Sequence, residues 1–500
     1  MESEIKRINR SLVRPVIAGD KSLTGKSTEK VLQFGTGVLL RGLPDYFIDK
    51  ANKQDVFNGS IVVVKSTTTG GVSDFDEQDC LYTVCVRGIS NGEVIEEYIL
   101  NESISRVLSA NEDWPKILRC AHDPEMRLII SNTTEVGIVL VEESIFEQPP
   151  KSFPAKLLAF LFERYKAFEG KEQAGMIIIP TELIVDNATV LKEIVHHLAV
   201  YNKLDDAFVK WLLNENDFCN SLVDRIVPGK LPYAEYQAVE QKLGYHDELM
   251  ILAEHFRLWA IETSNSKVRE FLSFAKVDEG VVIAEDINKF RELKLRLLNG
   301  THTFCCGLAY LRGYETVKEA MSNESFIRYV EPLMFEEIVP AVVSKEITHD
   351  EAMEYARSVI DRFRNPFLAH KWLSISLNYT SKMLSRNVPL LLRHYEMHGG
   401  VKKRSNGQHP VPHHMALGFA AFIAFMRCEK AADGKYYGSN RGVNYQVQDE
   451  MAPYFAAIWK SSGYTQMVHD ILSNLSLWRT DLSVLPGFEQ AVHTNLLELI

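Results

Sequence analysis

The stretch 31–48 constrains the fold of this chain more than any other part of its sequence. Residues 31–34 (VLQF) form a short apolar strand candidate, and Gly35-Thr36-Gly37 follows at once. Strand, glycine turn and helix in this order are typical of a Rossmann-type domain, in which backbone amides and the helix N-terminus receive a pyrophosphate. The helix is predicted because apolar residues recur at helical spacing after the turn: Leu39, Leu40, Leu43, Tyr46, Phe47 and Ile48.

The glycine pattern is shorter than the full G-x-G-x-x-G fingerprint. Its third glycine would fall at position 40, where Leu40 stands, and Gly42 comes two residues late. A tight turn that binds no ligand would have the same residues, so that alternative stays open. If the turn does bind a dinucleotide, the residues expected to contact it are Phe34, Gly35, Thr36 and Gly37.

The end of the next predicted strand bears on the choice of cofactor. The strand is 61–64 (IVVV), and it ends in Lys65-Ser66-Thr67. An NAD site usually has Asp or Glu here to hold the ribose hydroxyls, whereas a cation suits the 2′-phosphate of NADP. Lys65 is therefore a candidate cofactor residue, and a solvated strand end is the alternative.

Further strands are predicted at 81–86, 96–100, 128–131 and 176–180. A polar turn that contains Asn132, Thr133 and Glu135 directly follows the strand 128–131. Polar residues at the carboxyl end of a parallel strand line the ligand crevice of such a sheet. We therefore expect these three residues to bind cofactor, with a plain turn as the alternative.

The second half of the chain has a different pattern. From residue 189 the sequence is mostly helical, and after about residue 285 strand signals nearly vanish. The predicted fold class is α/β plus all-α: a Rossmann-type dinucleotide-binding domain at 1–285 and a mainly helical domain at 286–500. The most apolar run, 415–426, is too short to cross a bilayer and is predicted to be a buried helix.

The segment 294–302 (KLRLLNGTH) combines an amine, an amide and an imidazole. Lys294 falls in an apolar helical stripe with Phe290 and Leu298, opposite a charged side that includes Arg296. Desolvation disfavours an ammonium group, so we expect the pKa of Lys294 to be lowered and the amine to serve as a general acid or base.

Asn299 and His302 complete this candidate catalytic set. The Asn299 amide can donate to a developing oxyanion, and His302 can orient a substrate. On an ideal α-helix, however, Asn299 lies roughly 140° around the axis from Lys294. The alternative is a helix that faces the core, whose lysine reaches water and whose Asn299-Gly300 forms a C-cap.

Composition excludes several classes of function. The formal net charge of −11 argues against nucleic acid as a partner. The seven cysteines are an odd number without a C-x-x-C pair, so we expect reduced thiols, as in the cytoplasm. The first thirty residues lack an apolar signal segment, and we expect no membrane association. The histidines at 409, 413 and 414 match no metal-binding spacing, so no metal is predicted.

Several motifs resemble one enzyme family. Lys294, Asn299 and His302 match the K-x4-N-x2-H pattern of the polyol-specific long-chain dehydrogenases and reductases, to which mannitol dehydrogenase belongs. Further matching segments occur in one order over most of the chain: QFGTG (33–37), SNTTE (131–135), PTELI (180–184), LVDRIV (222–227), GYHD (244–247), AEHF (253–256), RFRNP (362–366) and VQDE (447–450).

The resemblance implies zinc-independent hydride transfer with NAD(H), in a protein with a Rossmann-type domain and a helical domain. It implies that Lys294 is the general acid in reduction and the base in oxidation. Asn187 would polarise the carbonyl oxygen together with Asn299, and Asp224 and Lys382 match substrate-site positions.

The sequence departs from the mannitol-type pattern after 362–366. Ser374 and Leu377 stand where polyol enzymes tend to have Arg and His, which favours a small sugar acid over a neutral polyol as substrate. A carboxylate needs a cation, and the candidates are Arg362, His370, Lys382 and Arg386. The other hypotheses are a neutral-polyol dehydrogenase, a reductase for a different keto-uronate, and a dinucleotide-binding sensor without catalysis. The oligomeric state is not predicted.

Overall fold

The computed structural model describes residues 5–13, 27–66, 72–133, 137–399, 410–461 and 463–500. The chain divides into two compact units. The first comprises the described residues of Met1–Arg87 and Val94–Ile287, and the second comprises Gly88–Glu93 and the described residues of Asn288–Ile500.

Twelve strands lie before the helical part of the chain, counted over the described residues. They are β1 Glu29–Phe34, β2 Ser60–Lys65, β3 Tyr82–Ser90, β4 Glu93–Asn101, β5 Ile104–Ser109, β6 Leu128–Ser131, β7 Ile177–Pro180, β8 Asp217–Phe218, β9 Ser221–Asp224, β10 Ile251–Glu254, β11 Leu258–Glu262 and β12 Val281–Ala284. The predicted strands at 31–34, 61–64, 81–86, 96–100, 128–131 and 176–180 are confirmed.

Six of these strands form a parallel sheet in the order β5-β2-β1-β6-β7-β8. Alternate residues of its central strands enter different cores: Val63 and Ile130 pack in one, and Val62 and Ile129 in the other. A parallel sheet covered on both faces needs such continuous apolar runs, which is why the sequence shows them so clearly. The strand order reverses between β1 and β6, and ligands of such sheets bind outside the carboxyl ends of the strands at this point.

The remaining strands form two small sheets, β10-β3-β4 and β12-β11-β9. The prediction of mostly helix from residue 189 is therefore wrong up to residue 284, where five short strands occur. Runs of two to five residues are too short for periodicity to identify. Strand β5 was also missed, because Ser105 and Arg106 interrupt its apolar pattern.

The helix predicted after the glycine turn has two parts, Val38–Gly42 and Pro44–Asn52. Leu43 between them has φ −136° and ψ −78°, because the ring of Pro44 disfavours helical backbone at the residue before it. The other helices of this unit are Arg10–Val13, Ser73–Glu77, Ala110–Cys120, Phe153–Ala167, Asn187–Tyr201, Asp206–Asn214, Tyr233–Leu243 and Ser266–Phe271, with 3-10 turns at Glu172–Ala174 and Ser273–Lys276.

The second unit is mainly helical, which confirms the predicted fold class. Its α-helices are Asn288–Leu293, Thr301–Leu311, Val317–Met321, Glu324–Pro332, Val339–Val342, His349–Arg364, Trp372–Ile375, Tyr379–Lys382, Val388–Met397, His413–Phe425, Ala452–Ser461, Tyr464–Leu472, Leu475–Trp478 and Phe488–Leu499. Its π-helical turns are Lys294–Gly300, Leu333–Ile338 and Met383–Asn387. Three short strands, β13 Glu429–Lys430, β14 Tyr436–Asn440 and β15 Val443–Gln446, form a small antiparallel sheet.

The apolar run 415–426 forms the buried helix His413–Phe425, as predicted. It packs so closely against Thr301–Leu311 that a Cβ atom on Gly307 would lie 2.6 Å from the carbonyl oxygen of Ala421. Within the described ranges, every helix is too short or too polar to span a bilayer.

Candidate active site

Lys294 begins a π-helical turn inside one continuous helix that runs from Asn288 to Leu311. Hydrogen bonds from residue i to i+5 bring residues five apart onto one face, as an α-turn does for residues four apart. Lys294 and Asn299 therefore share a face, and the wide separation expected from an ideal α-helix does not arise. Gly300 has helical angles (φ −63°, ψ −47°), so the alternative of a C-cap is wrong.

The Asn299 side chain is half-buried on this face. Its backbone carbonyl accepts a 2.7 Å hydrogen bond from Thr303 Oγ1. Among the described residues, its carboxamide has no hydrogen-bond partner. The amide is therefore available to donate to a ligand oxygen near Lys294, which is also half-buried.

His302 lies one turn further along the helix and is 8% exposed. Its ring stacks on Phe363 at a centroid distance of 4.1 Å and meets the edge of the His370 ring at 5.3 Å. These two ring contacts restrict the orientation of the imidazole. His302 therefore suits the predicted role of orienting a substrate.

A second π-helical turn, Met383–Asn387, packs beside the first. Arg296 joins the two, because its Nη1 donates to the carbonyl oxygens of Ser385 and Arg386 at 2.8 and 2.9 Å. Asn387 Nδ2 adds a 3.1 Å bond to the Gly300 carbonyl. The sequence placed Arg296 on a charged outer side, but it is 7% exposed and fixes one turn against the other.

Arg386 lies on this second turn and Lys382 directly precedes it, and the two form a cluster of basic residues with His370. Lys382 Nζ donates to the Ile375 carbonyl at 2.8 Å, and Arg386 Nη1 donates to Thr303 Oγ1 at 3.2 Å. Arg362, the fourth predicted cation, is buried on the helix His349–Arg364, near enough to His370 to act on its charge.

The pKa values of the cluster are lowered by desolvation first and, for His370 and Lys382, by neighbouring cations. Desolvation and then Lys382 and Arg362 lower the pKa of His370, although part of its surface stays exposed. Desolvation and then Arg386 lower the pKa of Lys382, and desolvation lowers that of Arg386. Each group would be stabilised in its charged form by an anion, so the cluster is a candidate carboxylate site.

The glycine turn of the first unit lies at the carboxyl end of β1. Gly35 has φ +128°, and a Cβ atom there would lie 2.9 Å from Leu40 Cδ1 and 3.0 Å from the Asn132 carbonyl oxygen. A Cβ atom on Gly37 would meet no atom within 4 Å. The turn is therefore packed against protein at Gly35 and open at Gly37, which is the arrangement a backbone cradle for a pyrophosphate needs.

A buried carboxyl group lies beneath this turn. Gln33 Nε2 is 3.3 Å from the Gly35 carbonyl oxygen and 3.4 Å from Asp45 Oδ2. Burial raises the pKa of Asp45 to about 7, against the opposing hydrogen bond from Gln33. Phe34 is buried and Thr36 is half-buried beside the turn.

The polar turn after β6 is held by Glu182, which sequence reasoning quoted in a motif but gave no role. Its carboxylate accepts bonds from Thr133 N and Oγ1, both at 2.9 Å, and from Ser131 Oγ at 3.1 Å. Burial raises the pKa of Glu182, and these bonds oppose the shift. Asn132 Nδ2 bonds to Thr181, and the candidate Glu135 lies outside the described residues.

Three other predicted residues have surroundings that differ from expectation. Lys65 is 8% exposed, so it is not the solvated strand end of the alternative interpretation. Asn187 Nδ2 donates to the carbonyls of Pro180, Glu182 and Ser221 at 3.0–3.1 Å. The role of Asn187 in polarising a substrate carbonyl stays a prediction. These contacts do not support it, because the side-chain amide already donates to protein carbonyls. Asp224 is buried in β9, opposite Leu258 of β11.

The predicted lack of a metal site rested partly on the histidine-rich segment. His409 lies outside the described residues. His414 Nδ1 is 2.9 Å from Glu337 Oε1, an interaction that raises the pKa of His414. Among the described residues, no three His, Cys, Asp or Glu side chains are grouped to hold a metal ion.

Comparison with known proteins identifies the family. Residues 29–272 match the mannitol dehydrogenase Rossmann domain, and residues 286–500 match the mannitol dehydrogenase C-terminal domain. The chain belongs to the mannitol dehydrogenase family. The proposed boundary near residue 285 falls between these two matched segments.

Curated relatives resemble this chain in sequence, and solved structures resemble it in fold. An altronate oxidoreductase of Pectobacterium carotovorum is 36% identical over 481 residues, 94% of each chain. One of Halalkalibacterium halodurans is 38% identical over 466 residues, 91% of this chain and 88% of its own. Mannitol 2-dehydrogenase of Pseudomonas fluorescens, solved with NAD and D-mannitol, superposes with a TM-score of 0.65 at 21% identity, covering 99% and 96% of the chains. A D-sorbitol dehydrogenase gives 0.71 at 21% identity, covering 94% and 92%.

Membership of this family makes the protein a dehydrogenase that acts on a CH–OH group and uses a nucleotide cofactor. The hypothesis of a sensor without catalysis is therefore wrong. The resemblance stated from the K-x4-N-x2-H pattern is confirmed.

Proposed function

We propose that this enzyme reversibly reduces D-tagaturonate to D-altronate with NADH, in the cytoplasm. One observation carries the proposal: the cluster of basic residues His370, Lys382 and Arg386 beside the helix that bears Asn299 and His302. A neutral polyol would leave the repelling charges of Lys382 and Arg386 uncompensated, whereas a sugar acid brings a carboxylate. Relatives that share over a third of their residues with this chain are altronate oxidoreductases, which supports the choice of sugar acid.

In this proposal the residues of the catalytic helix handle the oxygen and its proton. Asn299 donates a hydrogen bond to the keto oxygen, and the Lys294 ammonium gives that oxygen a proton as the carbonyl is reduced. In the reverse direction the Lys294 amine accepts the proton from the hydroxyl group. His302, whose ring stacks on Phe363, orients the substrate. The nicotinamide, when bound, supplies or accepts the hydride.

The residues present fit a nucleotide cofactor at the carboxyl end of β1. The Gly35 position has no room for a side chain, and Gly37 leaves its backbone open. Buried Lys65 is poorly placed to receive a 2′-phosphate. That burial supports NAD(H) over NADP(H), in agreement with the family resemblance.

The first test is an assay of purified protein that follows the absorbance of NADH. Tagaturonate and fructuronate are offered in parallel, each with NADH and with NADPH. We expect the highest kcat/KM with tagaturonate and NADH. A preference for fructuronate would reassign the substrate epimer, and a preference for NADPH would contradict the interpretation of Lys65.

A further inference from the structure

Arg386 differs from Arg296, which packs against the same turn, in how few partners its guanidinium has. A guanidinium has five N–H donors. Among the described residues, Arg386 makes one side-chain hydrogen bond, to Thr303 Oγ1 at 3.2 Å, and no carboxylate oxygen lies within 4.0 Å of it. Arg296, in contrast, is bound by Glu292 and by two carbonyl oxygens.

A partly buried guanidinium without a carboxylate partner is energetically costly unless a ligand binds it. Arg386 is half-buried, and desolvation alone accounts for its lowered pKa, since no acid opposes the shift. Its neighbour Lys382 is also cationic and adds repulsion. A partly buried charge is normally paired, so an unpaired one beside a catalytic helix points to a ligand that supplies the missing anion.

Thr303 fixes the guanidinium at a definite place on the catalytic helix. The Thr303 hydroxyl donates its proton to the Asn299 carbonyl at 2.7 Å and can therefore only accept from Arg386. One hydroxyl group thus connects Arg386 to the backbone of the residue that polarises the keto oxygen. Thr303 lies beyond Asn299 along the helix from Lys294, as a substrate with its ketone and carboxylate near opposite ends requires.

The backbone of Arg386 is fixed as well as its side chain. Its carbonyl and that of Ser385 accept from buried Arg296, which comes from the π-turn that carries Lys294. The proton-transfer group and the free guanidinium are therefore held by two turns that are bonded directly to each other. Such a connection keeps the distance between the two functional groups constant.

We propose that Arg386 recognises the substrate's carboxylate through a bidentate pair of charge-assisted hydrogen bonds, with Thr303 orienting its guanidinium. This assignment rests on the proposed function and selects one of its cations as the specificity-determining residue. Lys382, bonded to the Ile375 carbonyl, contributes positive potential around that pair.

The test compares tagaturonate with D-tagatose, which has a hydroxymethyl group in place of the carboxylate. R386Q should lower kcat/KM for tagaturonate by about 10²-fold or more, mainly through KM, since a desolvated charge pair is lost. The fall with tagatose should be much smaller. R386K should retain part of the preference, because a lysine offers a point charge without the fork. R328Q removes an exposed arginine of the same unit and should change neither substrate.

The outcomes separate this assignment from the proposed function. If wild-type enzyme does not prefer tagaturonate over tagatose, the proposed function fails. If the wild type shows the preference and R386Q keeps it, another cation binds the carboxylate and the assignment of Arg386 is overturned. If R386Q does not fold, R386K replaces it in the test. We then expect kcat/KM for tagaturonate to fall by about 10-fold. An R386K enzyme that keeps the full wild-type preference for tagaturonate would overturn the assignment.

Discussion

Lys294 and Asn299 work together because of the backbone hydrogen-bond pattern between them. A π-turn places side chains five apart on one face. An amine that exchanges a proton with the substrate oxygen and an amide that polarises the same oxygen must approach one atom. The π-turn of Lys294–Gly300 makes this possible on a single helix.

Replacing Lys294 with Ala should lower kcat by about 10²–10⁴-fold, the usual contribution of a general acid or base. Binding of NADH should change little, because Lys294 lies in the helical unit and the glycine turn in the other. Steady-state assays with NADH-binding measurements on the same variant separate the two effects. Turnover near that of the wild type would rule out the proton-transfer role.

Lys382 predicts a pH dependence with a definite sign. Burial and the charge of Arg386 lower the pKa of Lys382 from its ordinary value of 10.5, so the free enzyme loses this positive charge below pH 10.5 as the pH rises. Carboxylate binding needs the protonated form, so kcat/KM for tagaturonate should fall on the alkaline side more steeply than kcat/KM for tagatose. In R386Q one cause of the shift is removed, and this alkaline fall should move to higher pH. Parallel profiles for the two substrates would contradict the prediction.

The glycine turn offers a matched pair of substitutions at the level of the element. Gly35→Ala places a methyl group against Leu40 and Asn132 at φ +128° and should lower the free energy of unfolding by about 1–3 kcal/mol. Gly37→Ala meets no protein atom, and its backbone (φ −62°, ψ 153°) suits any residue. Its stability should be unchanged while NADH binding weakens, because only a ligand occupies that space. Unfolding curves measure the stability of each variant, and titrations measure its affinity for NADH. Unaltered NADH binding by Gly37→Ala would mean that the pyrophosphate binds elsewhere.

Arg296 and Arg393 test how the two π-turns are held. Both lie near Glu292, but the Arg296 side chain is 9% exposed and also binds two carbonyls, whereas that of Arg393 is 40% exposed. Arg296→Met removes both hydrogen bonds to these carbonyls from a buried side chain and should destabilise the helical unit by about 2–4 kcal/mol. Arg393→Met should cost less than about 1 kcal/mol. Urea unfolding followed by circular dichroism compares them, and equal effects would show that the carbonyl contacts contribute little.

Much of this element structure could be predicted because it depends on long apolar runs. Residues 61–64 and 128–130 lie in strands that are buried on both faces of a parallel sheet, and all of them are apolar. The edge strand Ile104–Ser109 contains Ser105 and Arg106, and the strands after residue 217 are only two to five residues long, so their sequences were not recognised as strands. The π-turn was also missed, because α- and π-turns are built from the same residue types.

At the scale of the whole molecule, the candidate catalytic residues Lys294, Asn299 and His302 could be predicted, because a spacing pattern and a family resemblance coincide on one helix. The contacts that support them could not. Glu182 binds Thr133, and Thr303 accepts a hydrogen bond from Arg386. Both partners are far away in the sequence, and no local pattern marks such pairs. The four candidate cations were predicted as a set, and only the structure shows which of them already has partners.

The central claim is that the helical unit selects a carboxylate. The most direct measurement is the ratio of kcat/KM for tagaturonate to kcat/KM for D-tagatose, with wild-type enzyme and saturating NADH. The two substrates differ only in the group that the cluster of basic residues would bind. We expect a ratio of at least about 10², the discrimination given by one charge-assisted bidentate contact. A ratio near one would mean that His370, Lys382 and Arg386 do not bind a substrate carboxylate, and the proposed function would be wrong.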